Sequence, residues 1–149
     1  MKPVVYLLNG PNLNLLGQRQ PEIYGRTTLA DVEAMCRDIA ARAGIELHCH
    51  QSNHEGQLVD WVQAARKSAG VIINPAGLSY HSVPLLDALL TCECPVIEVH
   101  ISNIHRREAE WRANTIMTQA VTGVIAGLGT EGYRLAMDHL VRRITGGAA

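Results

Sequence analysis

Phenylalanine is absent from this chain, and aromatic residues of any kind make up only 4% of its 149 positions. Proteins that hold single-stranded nucleic acid need aromatic platforms for base stacking, so this scarcity argues against that class. A surplus of positive charge is missing too. Thirteen Lys and Arg stand against fourteen Asp and Glu, a net charge near −1, which argues against the basic footprint of a phosphate-backbone binder. No apolar run approaches the roughly 18 residues of a membrane-spanning helix. The opening Met1-Lys2-Pro3 leads into an apolar stretch too short for a signal peptide and without a cleavage site. Cysteine is limited to positions 36, 49, 92 and 94, most simply read as free thiols in an intracellular chain. These absences together lead us to expect a soluble cytoplasmic protein.

What is present is an aliphatic chain, 47% apolar and 18% charged. Its length suits one domain spanning residues 1–149 with a core of Val, Ile, Leu and Ala. Four short β-branched runs, Val4 to Leu8, Val71 to Ile73, Val96 to Val99 and Val124 to Ala126, are nearly continuous and end at Gly, Asn or His. Such runs suit strands buried on both faces of a parallel sheet. Ile45 to Gln51 alternates instead, with Glu46, His48 and His50 on one side, as an edge strand with a wetter face does.

Helical periods fill the gaps. Thr28 to Ala43 carries apolar residues at helical spacing and stops at Gly44. Ser52-Asn53-His54-Glu55 reads as a capping box opening a helix through Lys67. Ser82-Val83-Pro84 starts a third helix, residues 105–118 form a fourth with less regular edges, and Thr130 to Ile144 forms the last. Alternation of strand and helix predicts an α/β sandwich: a five-stranded parallel sheet covered on both faces with right-handed crossovers. The alternating second strand at an edge fits a flavodoxin-like order, 2-1-3-4-5.

In such sheets ligands bind outside the carboxyl ends of the strands, near the switch in strand order. Asn12, Asn74 and His100 follow strands one, three and four, which are neighbours in that order, so the three side chains are expected to converge. Uncharged polar groups around one His suit a small polyhydroxy or carboxylate ligand; equally, Asn and Ser in these places satisfy turns. The loop from Gly17 to Gly25 is long for a βα connection, as functional lids are. It holds Tyr24, with Arg19 and Arg26 close in sequence. A phenol near pKa 10 must be lowered by roughly 2–3, or about 3–4 kcal/mol, to act as a base near neutrality. One Arg at ~4 Å supplies about 4 kcal/mol at an effective dielectric near 20.

The run Leu8-Asn9-Gly10-Pro11-Asn12-Leu13-Asn14-Leu15-Leu16-Gly17, continued by Arg19, Pro21, Tyr24 and Gly25, is highly specific. It is joined by Gln51-Ser52-Asn53-His54-Glu55-Gly56, Asn74-Pro75, Ser82, Glu98-Val99-His100-Ile101-Ser102-Asn103, and Gly127-Leu128-Gly129 with Gly132-Tyr133. In this order they resemble the type II 3-dehydroquinate dehydratase family, over nearly the whole chain from Val4 to Leu140. The resemblance implies a flavodoxin-like fold, a homododecamer built as four trimers, and no cofactor or metal. It implies that Tyr24, as a phenolate lowered by Arg19, takes a proton from C2 of 3-dehydroquinate. Asn12 holds a water that stabilises the enolate. His100, oriented by Glu98, protonates the departing C1 hydroxyl, giving 3-dehydroshikimate. Asn74 and Ser102, with the Ile101 and Ser102 amides, hold the carboxylate region. Arg112 grips ring hydroxyls, and Asp87 reaches a neighbouring subunit's site.

The chain departs from the family pattern in three places. Tyr80 stands where the family has a substrate-contacting His, and His81 follows one place later, so either the Tyr80 hydroxyl or a shifted His81 is expected at the substrate. The segment before Trp111-Arg112 is one residue longer, and Gln20 replaces a common Glu. The first two departures motivate an alternative: a non-catalytic or re-purposed relative that binds a cyclic polyol acid. A flavin-binding protein is the third reading, weakened by the lack of a Ser/Thr-rich first loop. Gly127 to Gly132 matches G-x-G-x-x-G but has no later strand or acidic partner, so it reads as a tight turn. Cys92-Glu93-Cys94 and His48-Cys49-His50 lack a metal-ligand partner set and read as small buried side chains and a strand.

Overall fold

The structure is a computed structural model that describes residues 1–18, 20–106 and 109–147, apart from the side chains of residues 23 and 24. In chain order its elements are β1 (Val4–Asn9), α1 (Pro21–Tyr24), α2 (Leu29–Arg42), β2 (Glu46–Gln51), α3 (Glu55–Ala65), β3 (Gly70–Asn74), α4 (Val83–Leu90), β4 (Val96–His100), β5 (Gly123–Ala126) and α5 (Glu131–Thr145). All strands pair in parallel, in the order β2-β1-β3-β4-β5. This is the flavodoxin-like α/β sandwich that the strand pattern predicts.

Every residue of β3 and β4 is buried, because helices cover both faces. Successive strand residues point to opposite sides. Leu7 and Ile72 join a core with Val32 and Cys36 of α2 and Tyr133, Met137 and Leu140 of α5. Leu8 and Ile73 join a second core with Leu58 and Val62 of α3, Leu85 and Leu89 of α4, and Met117. Both cores are aliphatic, as the composition requires, with Tyr133 the largest wholly buried side chain. β2 lies at the edge. Its wetter face is partly roofed: His50 stacks on Trp61 of α3 at 4.7 Å, and Tyr6 meets His48 edge-on. The four cysteines are free and buried or half-buried. No described helix is long and apolar enough to cross a membrane.

Local chemistry sets the helix ends. Thr28 accepts from the Asp31 N–H at 3.1 Å while Asp31 accepts from the Thr28 N–H at 3.0 Å, a reciprocal cap for α2. The capping box expected at Ser52 and Glu55 does not form. Ser52 Oγ accepts from the His54 N–H at 2.9 Å, and His54 precedes the helix without a side-chain cap. Glu55 turns away to accept from Ser82 Oγ at 2.6 Å. A hydrogen bond to a carboxylate is stronger than a neutral one, and here it ties α3 to the start of α4. α3 also ends at Ala65, short of Lys67.

The helix expected over 105–118 is likewise replaced, in the described part, by three short 3-10 turns: Ile104–Arg106, Glu110–Ala113 and Met117–Ala120. Groups in this segment find partners elsewhere in the fold. The Ile116 N–H donates to the Ser79 carbonyl at 2.8 Å, and the hydroxyls of Thr115 and Thr118 donate to Glu98.

Gly10 closes the end of β1 against β3. Its N–H donates to the Asn74 carbonyl at 2.8 Å, and a Cβ here would lie 2.5 Å from the Pro75 oxygen. That contact is with backbone, so nothing small yields. Gly10→Ala is expected to cost about 1–3 kcal/mol, as overpacking does, and to part the two strand ends. An unchanged urea midpoint for this variant would contradict that reading.

Candidate active site

The carboxyl ends of β1, β3 and β4 open onto a cavity of about 310 Å³, the low end of the range for small-molecule sites. Its wall comes from three loops. Pro11 to Leu16 follow β1, Asn74 to Tyr80 follow β3, and His100 to Ile104 follow β4; Arg112 completes the rim. Arg112 is the formally charged member of the described lining, which contains no carboxylate.

Each loop is anchored from beneath. The first turns at Asn12, whose φ of 71° is left-handed. The Asn12 N–H donates to Asn53 Oδ1 at 2.9 Å, and Gln51 Nε2 donates to both the Gly10 carbonyl and Asn53 Oδ1 at 3.2 Å. Asn residues tolerate this region better than most, and the residues just past β2 hold the turn. Beneath the second loop, the buried Tyr133 hydroxyl donates to Asn9 Oδ1 at 2.6 Å and accepts from Asn74 Nδ2 at 2.9 Å. Burial raises the Tyr133 phenol above its ordinary value, so it works as a neutral donor and acceptor joining paired residues at the ends of β1 and β3. Asn74 Oδ1 accepts from the Ala76 N–H at 3.1 Å, which fixes the amide's orientation. The third loop is held by the glycine turn before α5. Gly127 donates to the His100 carbonyl and Gly129 to that of Ile101. A Cβ on Gly127 would meet Asn103 at 3.0 Å.

At the floor stands His100, with Glu98 behind it, two residues earlier on β4 and therefore on the same face. His100 Nε2 lies 2.5 Å from Glu98 Oε2, with both side chains buried. Thr115 Oγ1 donates to Glu98 Oε2 at 2.8 Å and Thr118 Oγ1 to Oε1 at 3.0 Å. Burial alone raises a carboxyl, but the bonds from His100, Thr115 and Thr118 outweigh it and hold Glu98 below its ordinary value. Glu98 is thus an ionised anchor. With Nε2 committed to it, His100 has Nδ1 left for a ligand.

At the rim, the Arg112 guanidinium lies 4.5 Å from the Trp111 ring centroid and 5.8 Å from that of Tyr80. The two rings meet edge to face at 5.1 Å.

Of the residues singled out from the sequence, Asn12, Asn74, Tyr80, His100, Ile101, Ser102 and Arg112 line this cavity. Glu98 lies directly behind His100. His81 is exposed and off the wall, so Tyr80 is the residue of that pair turned to the cavity. Asp87 is exposed on α4, also outside it. Arg19 and the side chain of Tyr24 lie outside the described residues. Sequence reasoning missed Thr115, Thr118, Tyr133 and Trp111 as supports. The signal for the two threonines was present: a Glu inside an apolar strand must find donors.

An open parallel sheet with a small cavity at its switch point, lined by His100 with a buried carboxylate behind it, defines a flavodoxin-like α/β protein. The chain belongs to the class II dehydroquinase family, whose profile matches residues 3–141. It is 61% identical over 136 residues to the 3-dehydroquinate dehydratase 2 of Agrobacterium fabrum, covering 91% of this chain and 92% of that one. It is 57% identical over 141 residues to the 3-dehydroquinate dehydratase of Methylobacterium radiotolerans, covering 94% of each. The crystal structure of type II dehydroquinase from Propionibacterium acnes superposes with a TM-score of 0.88 at 41% identity, covering 95% of this chain and 97% of that one.

Glu98 carries a pH signature. A carboxyl lowered on folding stabilises the protein above its unfolded value, about 4.3, and that contribution is lost as pH falls through the lower folded value. Melting temperature in the wild type is therefore expected to drop in acid. Glu98→Gln should be less stable at neutral pH and show a flatter acid limb. Parallel profiles for the two proteins would rule this out.

Proposed function

We propose that this cavity dehydrates 3-dehydroquinate to 3-dehydroshikimate by anti elimination through an enolate, which makes the chain a hydro-lyase. The observation that carries the reading is the buried Glu98–His100 pair opening onto a ring-sized cavity with a single formal cation in its described lining.

The steps balance without an outside reagent. Tyr24, as a phenolate lowered by Arg19, removes a proton from C2, which is acidic because it lies α to the C3 ketone. The negative charge moves to the C3 oxygen, where a water held by Asn12 stabilises it. As the enolate collapses, the C1–O bond breaks and His100 gives its proton to the departing hydroxyl, which leaves as water. The phenol's proton then returns to the imidazole through solvent. Glu98 fixes the ring. Asn74, Ser102 and the Ile101 and Ser102 amides hold the carboxylate region, Arg112 and Tyr80 contact the ring, and Asp87 serves a neighbouring subunit's site. His81 is one residue beyond this contact set. Residues 1–149 work as one catalytic domain in a cytoplasmic homododecamer of four trimers, with the small-molecule substrate as its ligand and no cofactor. The same reaction serves aromatic amino acid biosynthesis by the shikimate pathway and quinate catabolism.

Purified protein mixed with 3-dehydroquinate is expected to develop the ultraviolet absorbance of the conjugated enone. Tyr24→Phe is expected to lose roughly 10²–10⁴ of the rate, the usual range for a general base, while still binding substrate. Binding without any enone in the wild type would favour the re-purposed reading. A fully active Tyr24→Phe would remove the base assignment. Sedimentation is expected to give a particle of twelve chains; a monomer would contradict the assembly.

A further inference from the structure

We propose that Tyr80 and Trp111 form an aromatic corner that positions Arg112 across the cavity, so that Trp111, itself off the cavity wall, is a positioning residue for binding the anionic ring. The inference rests on the reading of this cavity as the dehydroquinate site and adds to it what orients its cation.

The two rings are nearly perpendicular, at 88°, with centroids 5.1 Å apart. The guanidinium sits in the angle between them, nearer the indole. A cation over an aromatic face is attracted by the ring's negative quadrupole, and this one belongs to a side chain lining the cavity. No carboxylate among the described residues pairs with Arg112, so the aromatic faces do the orienting.

The corner spans two turns that are far apart in sequence, Ala76–Tyr80 after β3 and Glu110–Ala113 between β4 and β5. Three residues past the second turn, the Ile116 N–H donates to the Ser79 carbonyl of the first at 2.8 Å. Trp111 remains 53% exposed, so it is not held there as a core residue.

Steady-state kinetics with 3-dehydroquinate test this. Trp111→Ala is expected to raise KM roughly two- to fivefold, the scale of one exposed cation–π contact, with kcat nearly unchanged. Trp111→Phe should restore part of the loss. In an Arg112→Ala background, Trp111→Ala should add no further rise. An unchanged KM, or an equal rise without Arg112, would overturn the proposal. A second measurement does not depend on turnover. In a Trp61→Phe background Trp111 is the sole indole, and Arg112→Ala should change its emission; identical spectra would also overturn the corner. A wild type that makes no enone defeats the dehydratase reading instead, and the emission comparison still decides the corner.

Discussion

A carboxylate buried in the middle of the sheet is the constraint on which the rest of the site depends. Glu98 is wholly inaccessible, and an ionised carboxylate in that position must be hydrogen-bonded or it destabilises the fold by several kcal/mol. Three donors meet the demand: His100 on the same strand and the hydroxyls of Thr115 and Thr118. Meeting it fixes two other things. The imidazole is committed through Nε2 and has one defined nitrogen for the cavity. The segment carrying the threonines must also run past Glu98 in turns rather than as a regular helix. That same segment carries Trp111 and Arg112, so the imidazole at the floor and the cation at the rim are both tied to one buried charge.

Around that pair the protein separates support from contact. The cavity wall is made of loop residues, while the groups that hold the loops sit in the layer beneath. Tyr133 reaches from α5 to join the ends of β1 and β3, Gln51 and Asn53 hold the Asn12 turn, and the glycines before α5 grip the residues after His100. Few of these groups need to touch a ligand. Their effect is to remove conformational freedom from those that do, which is how preorganised polar groups stabilise a developing charge. The aromatic scarcity of the chain reads differently in this light. Tyr80 and Trp111 stand at the rim and Tyr133, a member of one core, reaches the strand ends beneath the site, while the rest of the two cores is mainly aliphatic.

The fold was largely legible because its signals are local or periodic. Continuous β-branched runs marked doubly covered strands, the alternation at 45–51 marked the edge, and Thr28 with Gly44 bounded α2. The convergence of Asn12, Asn74 and His100 followed from strand order alone. What escaped depends on distant partners. Ser52 and Glu55 have the spacing of a capping box, but Ser82, 27 residues beyond Glu55, competes for the carboxylate. Residues 105–118 have helical composition, yet their hydroxyls and amides belong to Glu98 and Ser79. Whether Tyr80 or His81 faces the cavity depends on the phase of a five-residue 3-10 turn, which no periodic pattern reveals. Tyr133 sits in the first turn of α5, and its partners lie 59 and 124 positions away, beyond any local pattern.

The central claim is that the imidazole held by Glu98 delivers the proton that lets water leave. The most direct measurement is the turnover of 3-dehydroquinate by His100→Ala, followed through enone absorbance, with folding checked by its melting temperature. Glu98 keeps both threonine bonds in this variant, so the account predicts a folded protein slowed by roughly 10²–10⁴, as loss of a general acid entails. A folded variant turning over at the wild-type rate would contradict it.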